Sequence, residues 1–66
     1  METKESLVID LIPEQRVLFN GHICHVQGRD KGSMIVSKVK NSPYVFGLSI
    51  YSPRYKDLMN RVAVVL

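Results

Sequence analysis

The residues best equipped for chemistry stand together at His22-Ile23-Cys24-His25. Imidazole and thiolate bind zinc, and a thiolate beside an imidazole makes a nucleophile. The spacing works against both. Successive side chains on a strand point to opposite faces, so His22 and Cys24 share one side and His25 takes the other. At most two of the three can meet on one ion, whereas zinc needs three or four ligands, and the chain has no other cysteine or histidine. A Cys–His nucleophile would also need a third, orienting group and a water-excluding pocket. A chain of 66 residues has little interior to give one. The expectation is a half-buried Cys24 acting as a small hydrophobe between two rim histidines. No metal, cofactor, catalytic residue or small-molecule substrate is expected, and the chain is not read as an enzyme.

Phosphate chemistry is the next candidate. Gly28-Arg29-Asp30-Lys31-Gly32 has neither the spacing nor the strand–helix context of a nucleotide-binding loop. It reads as an exposed basic tip. Charge is unevenly spread along the chain. Residues 1–15 carry Glu2, Glu5, Asp10 and Glu14 against Lys4, a balance of −3. Residues 16–66 carry Arg16, Arg29, Lys31, Lys38, Lys40, Arg54, Lys56 and Arg61 against Asp30 and Asp57, a balance of +6. Basic side chains interleaved with Tyr44, Tyr51 and Tyr55 suit a nucleic acid: cations neutralise the backbone and aromatic faces stack unpaired bases. The candidate contacts are Arg29, Lys31, Lys38, Lys40, Arg54 and Lys56. Tyr44 and Tyr55 lie on apolar stripes and are assigned to the core.

These residues need a scaffold. Sixty-six residues make one domain, 1–66, and one cysteine excludes an intrachain disulfide. Stability must come from a good core or from a second copy, and 45% hydrophobic residues make a core feasible. The single cysteine suits a reducing compartment, and METKESLVIDLIPEQR has no signal-peptide pattern. No apolar run reaches the length of a membrane span, so the expected location is cytoplasmic.

Turn residues recur every 8–12 positions between short apolar runs, the pattern of an all-β fold. The sharpest is Asn20-Gly21, which favours a type I′ hairpin. A two-residue loop there sets Phe19 opposite His22, Leu18 opposite Ile23, Val17 opposite Cys24 and Arg16 opposite His25. One face then holds Val17, Phe19, Cys24 and Val26 with His22 at its tip. The other holds Arg16, Leu18, Ile23, His25 and Gln27. Further strands are expected over Leu7–Ile12, Met34–Lys40 and Tyr44–Tyr51, the last with Tyr44, Phe46, Leu48 and Ile50 on one face. Gly28 to Gly32 is expected as a turn, and Gly47 as a bulge or close backbone approach. Ser52-Pro53 opens a short helix over about 53–60, and Val62 to Leu66 is the closing strand.

The expected fold is therefore mostly β, with five to six short strands and one short helix near the C-terminus. In this order of elements the chain resembles SH3-like small barrels, a class that includes KOW, Tudor and Sm-like modules. The run Arg16-Val17-Leu18-Phe19-Asn20-Gly21-His22-Ile23 is similar to their strand–turn–strand opening. The functional expectation is a small regulatory binding module, with nucleic acid favoured. The alternative is an adaptor or inhibitor docking on a larger protein, or a homodimer, through Leu18, Ile23, His25, Val64 and Leu66. An unpaired sheet edge could also take a strand from a partner or a second copy.

Overall fold

The computed structural model describes residues 1–52 and 58–66. Six antiparallel strands form one sheet: β1 (Thr3–Leu7), β2 (Arg16–Phe19), β3 (His22–Asp30), β4 (Ser33–Ser37), β5 (Phe46–Ser49) and β6 (Arg61–Val65). Their spatial order is β1-β6-β2-β3-β4-β5, and the sheet is not closed by a ladder between β5 and β1. Strands β2 to β5 form a consecutive meander, and β6 returns to lie beside β2.

The hairpin around Asn20-Gly21 has the expected register at all four pairs. Asn20 and Gly21 take φ of 50° and 78°, the left-handed geometry of a type I′ turn. Alternation carries Val17, Cys24 and Val26 inward, with relative exposures of 0–3%. They join Val8, Leu11, Met34, Val36, Leu48, Ile50 and Val64 in one apolar cluster. These residues come from five strands, from the β1–β2 connection and, for Ile50, from the position just after β5. No second sheet or long helix among the described residues covers that face, so the sheet curls and buries the face against itself.

Four local expectations are corrected. Leu7–Ile12 is not a strand: β1 ends at Leu7 and Val8–Asp10 forms a 3-10 turn closed by Leu11 N–H to the Val8 carbonyl, 3.2 Å. A 3-10 turn aligns positions i and i+3, so Val8 and Leu11 both enter the core while Asp10 stays outside. The actual first strand, the polar Thr3–Leu7, is an edge that pairs with β6. Gly28 lies inside β3 beside a bulge, where the register steps from Val26 to Gly28 and leaves Gln27 as the extra residue. The turn is only Lys31-Gly32, with φ of 31° and 72°.

Tyr44 is the third correction. Phe46, Leu48 and Ile50 face inward as expected, but Tyr44 precedes β5 and is 87% exposed. The fourth concerns the chain end. Residues 53–57 of the expected helix lie outside the described residues. Leu58–Asn60 are not helical: Met59 bridges to Tyr51, and Asn60 N–H donates to the Ile50 carbonyl at 2.7 Å. The closing strand is present, beginning at Arg61. Gly47 is a close approach rather than a bulge, since a Cβ there would lie 3.1 Å from the Ser33 Cβ.

Two turns carry opposite conformational costs. Gly21 sits in a region that glycine enters freely, whereas Glu14 holds φ 78° at the third position of the Ile12–Gln15 turn, where type II geometry favours glycine. Gly21→Ala is expected to lower stability by about 1 kcal/mol, and Glu14→Gly to raise it by about 0.5 kcal/mol. Urea midpoints at constant slope measure both, and equal signs would contradict the turn assignments.

Candidate nucleic-acid interface

Strand alternation does not stop where the core ends. On β3 the inward positions run from Val26 through Cys24 to His22, and on β4 from Val36 to Lys38 just past the strand. On β2 they end at Phe19, and on β5 they begin at Phe46. These end positions form the rim of the curled sheet. Phe19 and Phe46 meet there with ring centroids 5.6 Å apart and planes tilted by 36°. The rings line a groove of about 370 Å³ together with Asn20, His22, Cys24 and Lys38. Both rings are half-buried, so each is held by the core and still offers surface.

Cys24 lies beneath the groove and is fully buried. Burial pushes its thiol pKa up, and the nearby Lys38 ammonium offsets part of that rise. The thiol therefore stays protonated at neutral pH, directed weakly at the His22 carbonyl 3.8 Å away. A buried, protonated sulfur is a packing group. The groove's polar chemistry comes from Lys38, His22 and Asn20 instead.

Lys38 is positioned by a buried polar latch. Ser37 has no exposed surface, and its Oγ donates to the Val39 carbonyl at 2.6 Å. Its hydroxyl proton is thereby used, so the same Oγ accepts from Gln27 Nε2 at 2.8 Å. Gln27 Nε2 spends its other proton on the Ser42 carbonyl at 2.9 Å. The bulge that makes Gln27 an extra residue aims it at this loop, a common use of bulges. The latch ties loop residues 38–42 to β3 and β4.

That loop also walls a second groove of about 290 Å³ on the outer side, between Pro13-Glu14 and Lys40-Asn41 with His25 and Gln27. Lys38 and Lys40 thus serve different grooves. Arg29 and Lys31 are exposed at the opposite end of β4, five residues or about 17 Å away. Arg54 and Lys56 lie outside the described residues. The expected basic set is accordingly not one patch among the described residues: only Lys38 stands beside an aromatic groove.

The expected protein-contact residues also divide. Leu18 and Ile23 are half-buried cross-strand partners on the outer face, and Leu18 also faces Ala63 of β6. His25 is half-buried on that face. Leu66 is 68% exposed at the chain end. Val64 is corrected: its register with Val17 turns it inward, leaving 8% exposure, so it belongs to the core.

The aromatic pair is not legible in the sequence, because Phe19 and Phe46 belong to strands separated in the sheet by β3 and β4. Each was visible singly as an inward residue at a strand end. No protein-family model, curated protein or solved structure matches the chain, so the site alone carries the functional argument.

The latch makes a separable prediction. Ser37→Ala leaves one Gln27 proton without its acceptor and takes one of two donors from the Val39 carbonyl, which keeps Ser42 N–H at 3.2 Å, and is expected to cost about 1 kcal/mol by chemical denaturation. Amide-exchange protection of residues 38–42 should fall more than that of β2. A loss below about 0.3 kcal/mol, within the range of an ordinary surface change, would contradict the latch.

Proposed function

We propose that this chain is a small, non-enzymatic regulatory module that binds single-stranded nucleic acid in the groove between Phe19 and Phe46. The carrying observation is the half-buried ring pair beside Lys38, His22 and Asn20. An unpaired base stacks on an aromatic face for about 1–3 kcal/mol, without regard to its identity. Lys38 neutralises an adjacent phosphate, and the polar groups of Asn20 and His22 meet base or sugar edges. Exposed Tyr44, two residues before Phe46 in the chain, offers a further stacking face. Lys40, Arg29 and Lys31 contribute longer-range attraction to a phosphate backbone.

The same proposal takes the curled sheet to be an SH3-like barrel. Support comes from the consecutive meander β2 to β5, the return of β6 beside β2, and the Tyr51–Met59 bridge linking the end of β5 to the start of β6. It takes the site of action to be cytoplasmic. No helix among the described residues is long and apolar enough to cross a membrane.

A second reading, docking on a larger protein, rests on the half-buried outer row Leu18, Ile23 and Ala63. Salt separates the two. Binding through phosphates weakens steeply between about 50 and 200 mM salt, whereas an apolar protein contact barely responds.

Fluorescence anisotropy with labelled mixed-sequence DNA and RNA decamers is the test. Phe46→Ala should weaken binding about tenfold, and Lys38→Gln should reduce the salt slope by about one ion. Absence of binding at about 50 mM salt, or binding indifferent to both substitutions, would remove this reading.

A further inference from the structure

The two free edges of the sheet are built differently. β1 presents Lys4 and Glu5, with Glu2 just before it and Glu5 ion-paired to Arg61 at 3.5 Å. Charge on an edge strand is the ordinary guard against strand pairing. β5 has no such guard, since the chain carries no charged residue from Asn41 to Pro53. Exposed apolar side chains also gather around it: Tyr44 at 87%, Val45 at 44% and Tyr51 at 47%.

The backbone direction of this edge follows from its ladder. Val36 faces Phe46 and Met34 faces Leu48, and Ile50 N–H donates to the Gly32 carbonyl at 3.0 Å. Hydrogen-bonding direction alternates along a strand, so the N–H and C=O groups of Val45 and Gly47 point away from β4. Beyond them the edge is stopped, because Asn60 Nδ2 donates to the Ser49 carbonyl at 3.0 Å. Among the described residues, Val45 to Gly47 is therefore an open run of main-chain donors and acceptors.

We infer that this run pairs antiparallel with the same run of a second copy of the chain. A two-fold axis beside Phe46 sets Val45 opposite Gly47 of the other copy, twice. Each such pair exchanges two main-chain hydrogen bonds, four in all. Tyr44 then faces Leu48 of the other copy, and Phe46 faces its own counterpart. Two chains of net charge +3 repel, and least where they meet on uncharged surface. The β5 edge is such a surface, it is complementary to itself, and a two-fold contact closes at two copies. The contact is short, so the dimer belongs to the weak, concentration-dependent class.

This inference stands apart from the ligand and is tested without one. Sedimentation velocity from about 10 μM to about 1 mM should carry the apparent mass from one chain toward two, the range of a weak association. Over the same range, amide exchange at Val45 and Gly47 should slow while β1 amides stay unchanged. Val45→Lys places charge on the edge at an exposed position and should raise the dimerisation midpoint at least about tenfold. Its circular dichroism and melting temperature should match those of the parent. Thr3→Lys, on the guarded edge, should leave the association untouched. A chain that stays monomeric throughout, or a dimer weakened by Thr3→Lys but not by Val45→Lys, overturns the assignment.

Discussion

A sheet with one apolar face and no second layer has one way to bury that face, which is to curl. Everything else in this small fold follows from that constraint. Burying Val17, Cys24, Met34 and Val36 to within 2% exposure needs apolar neighbours above them, and these come from the same sheet: Leu48 and Ile50 from the β5 side and Val64 from β6. The 3-10 turn at Val8–Asp10 contributes by dropping Val8 and Leu11 into the same cluster. In a chain of 66 residues such a core leaves little margin, and the lone ion pair among the described residues, Arg61–Glu5, is too exposed to add much.

Curling also creates the groove. A flat sheet would hold Phe19 and Phe46 far apart across β3 and β4, whereas a curled one brings their strand ends together at 5.6 Å. The alternation that fills the core therefore delivers Phe19, His22, Lys38 and Phe46 to its rim. Position is refined by the Gln27–Ser37–Ser42 network, whose hydrogen bonds hold the loop that bears Lys38. Core and site are in this sense one pattern read at two depths.

What the sequence revealed was local and periodic. Asn20-Gly21 announced its turn because few residue pairs accept two successive left-handed conformations, and that turn determined four register pairs at once. The β-rich class, the inward face of the hairpin and the final strand were legible for the same reason. Where local rules compete, local pattern does not decide. Val-Ile-Asp-Leu satisfies both a strand and a 3-10 turn, and tertiary burial of Val8 with Leu11 decides between them. Gly28 looked like punctuation, yet the type I′ pair Lys31-Gly32 already closes the hairpin, which frees Gly28 to sit beside a bulge. Tyr44 had the right parity for the core and the wrong location, since β5 starts two residues later. The groove was illegible because it joins strands distant in sequence, and the dispersal of the basic residues to both ends of β4 could not be seen without the register.

A ligand bound at the rim of the curled sheet leaves its footprint there. Two-dimensional NMR reads that footprint when an unlabelled single-stranded decamer is added to the isotope-labelled chain. Contact at the rim puts the largest shifts at Phe19, Asn20, His22, Lys38 and Phe46 and leaves the outer row at Leu18, Ile23 and Ala63 quiet. Shifts centred on that outer row, or spread evenly over every lysine and arginine with the rim silent, would contradict binding at the rim.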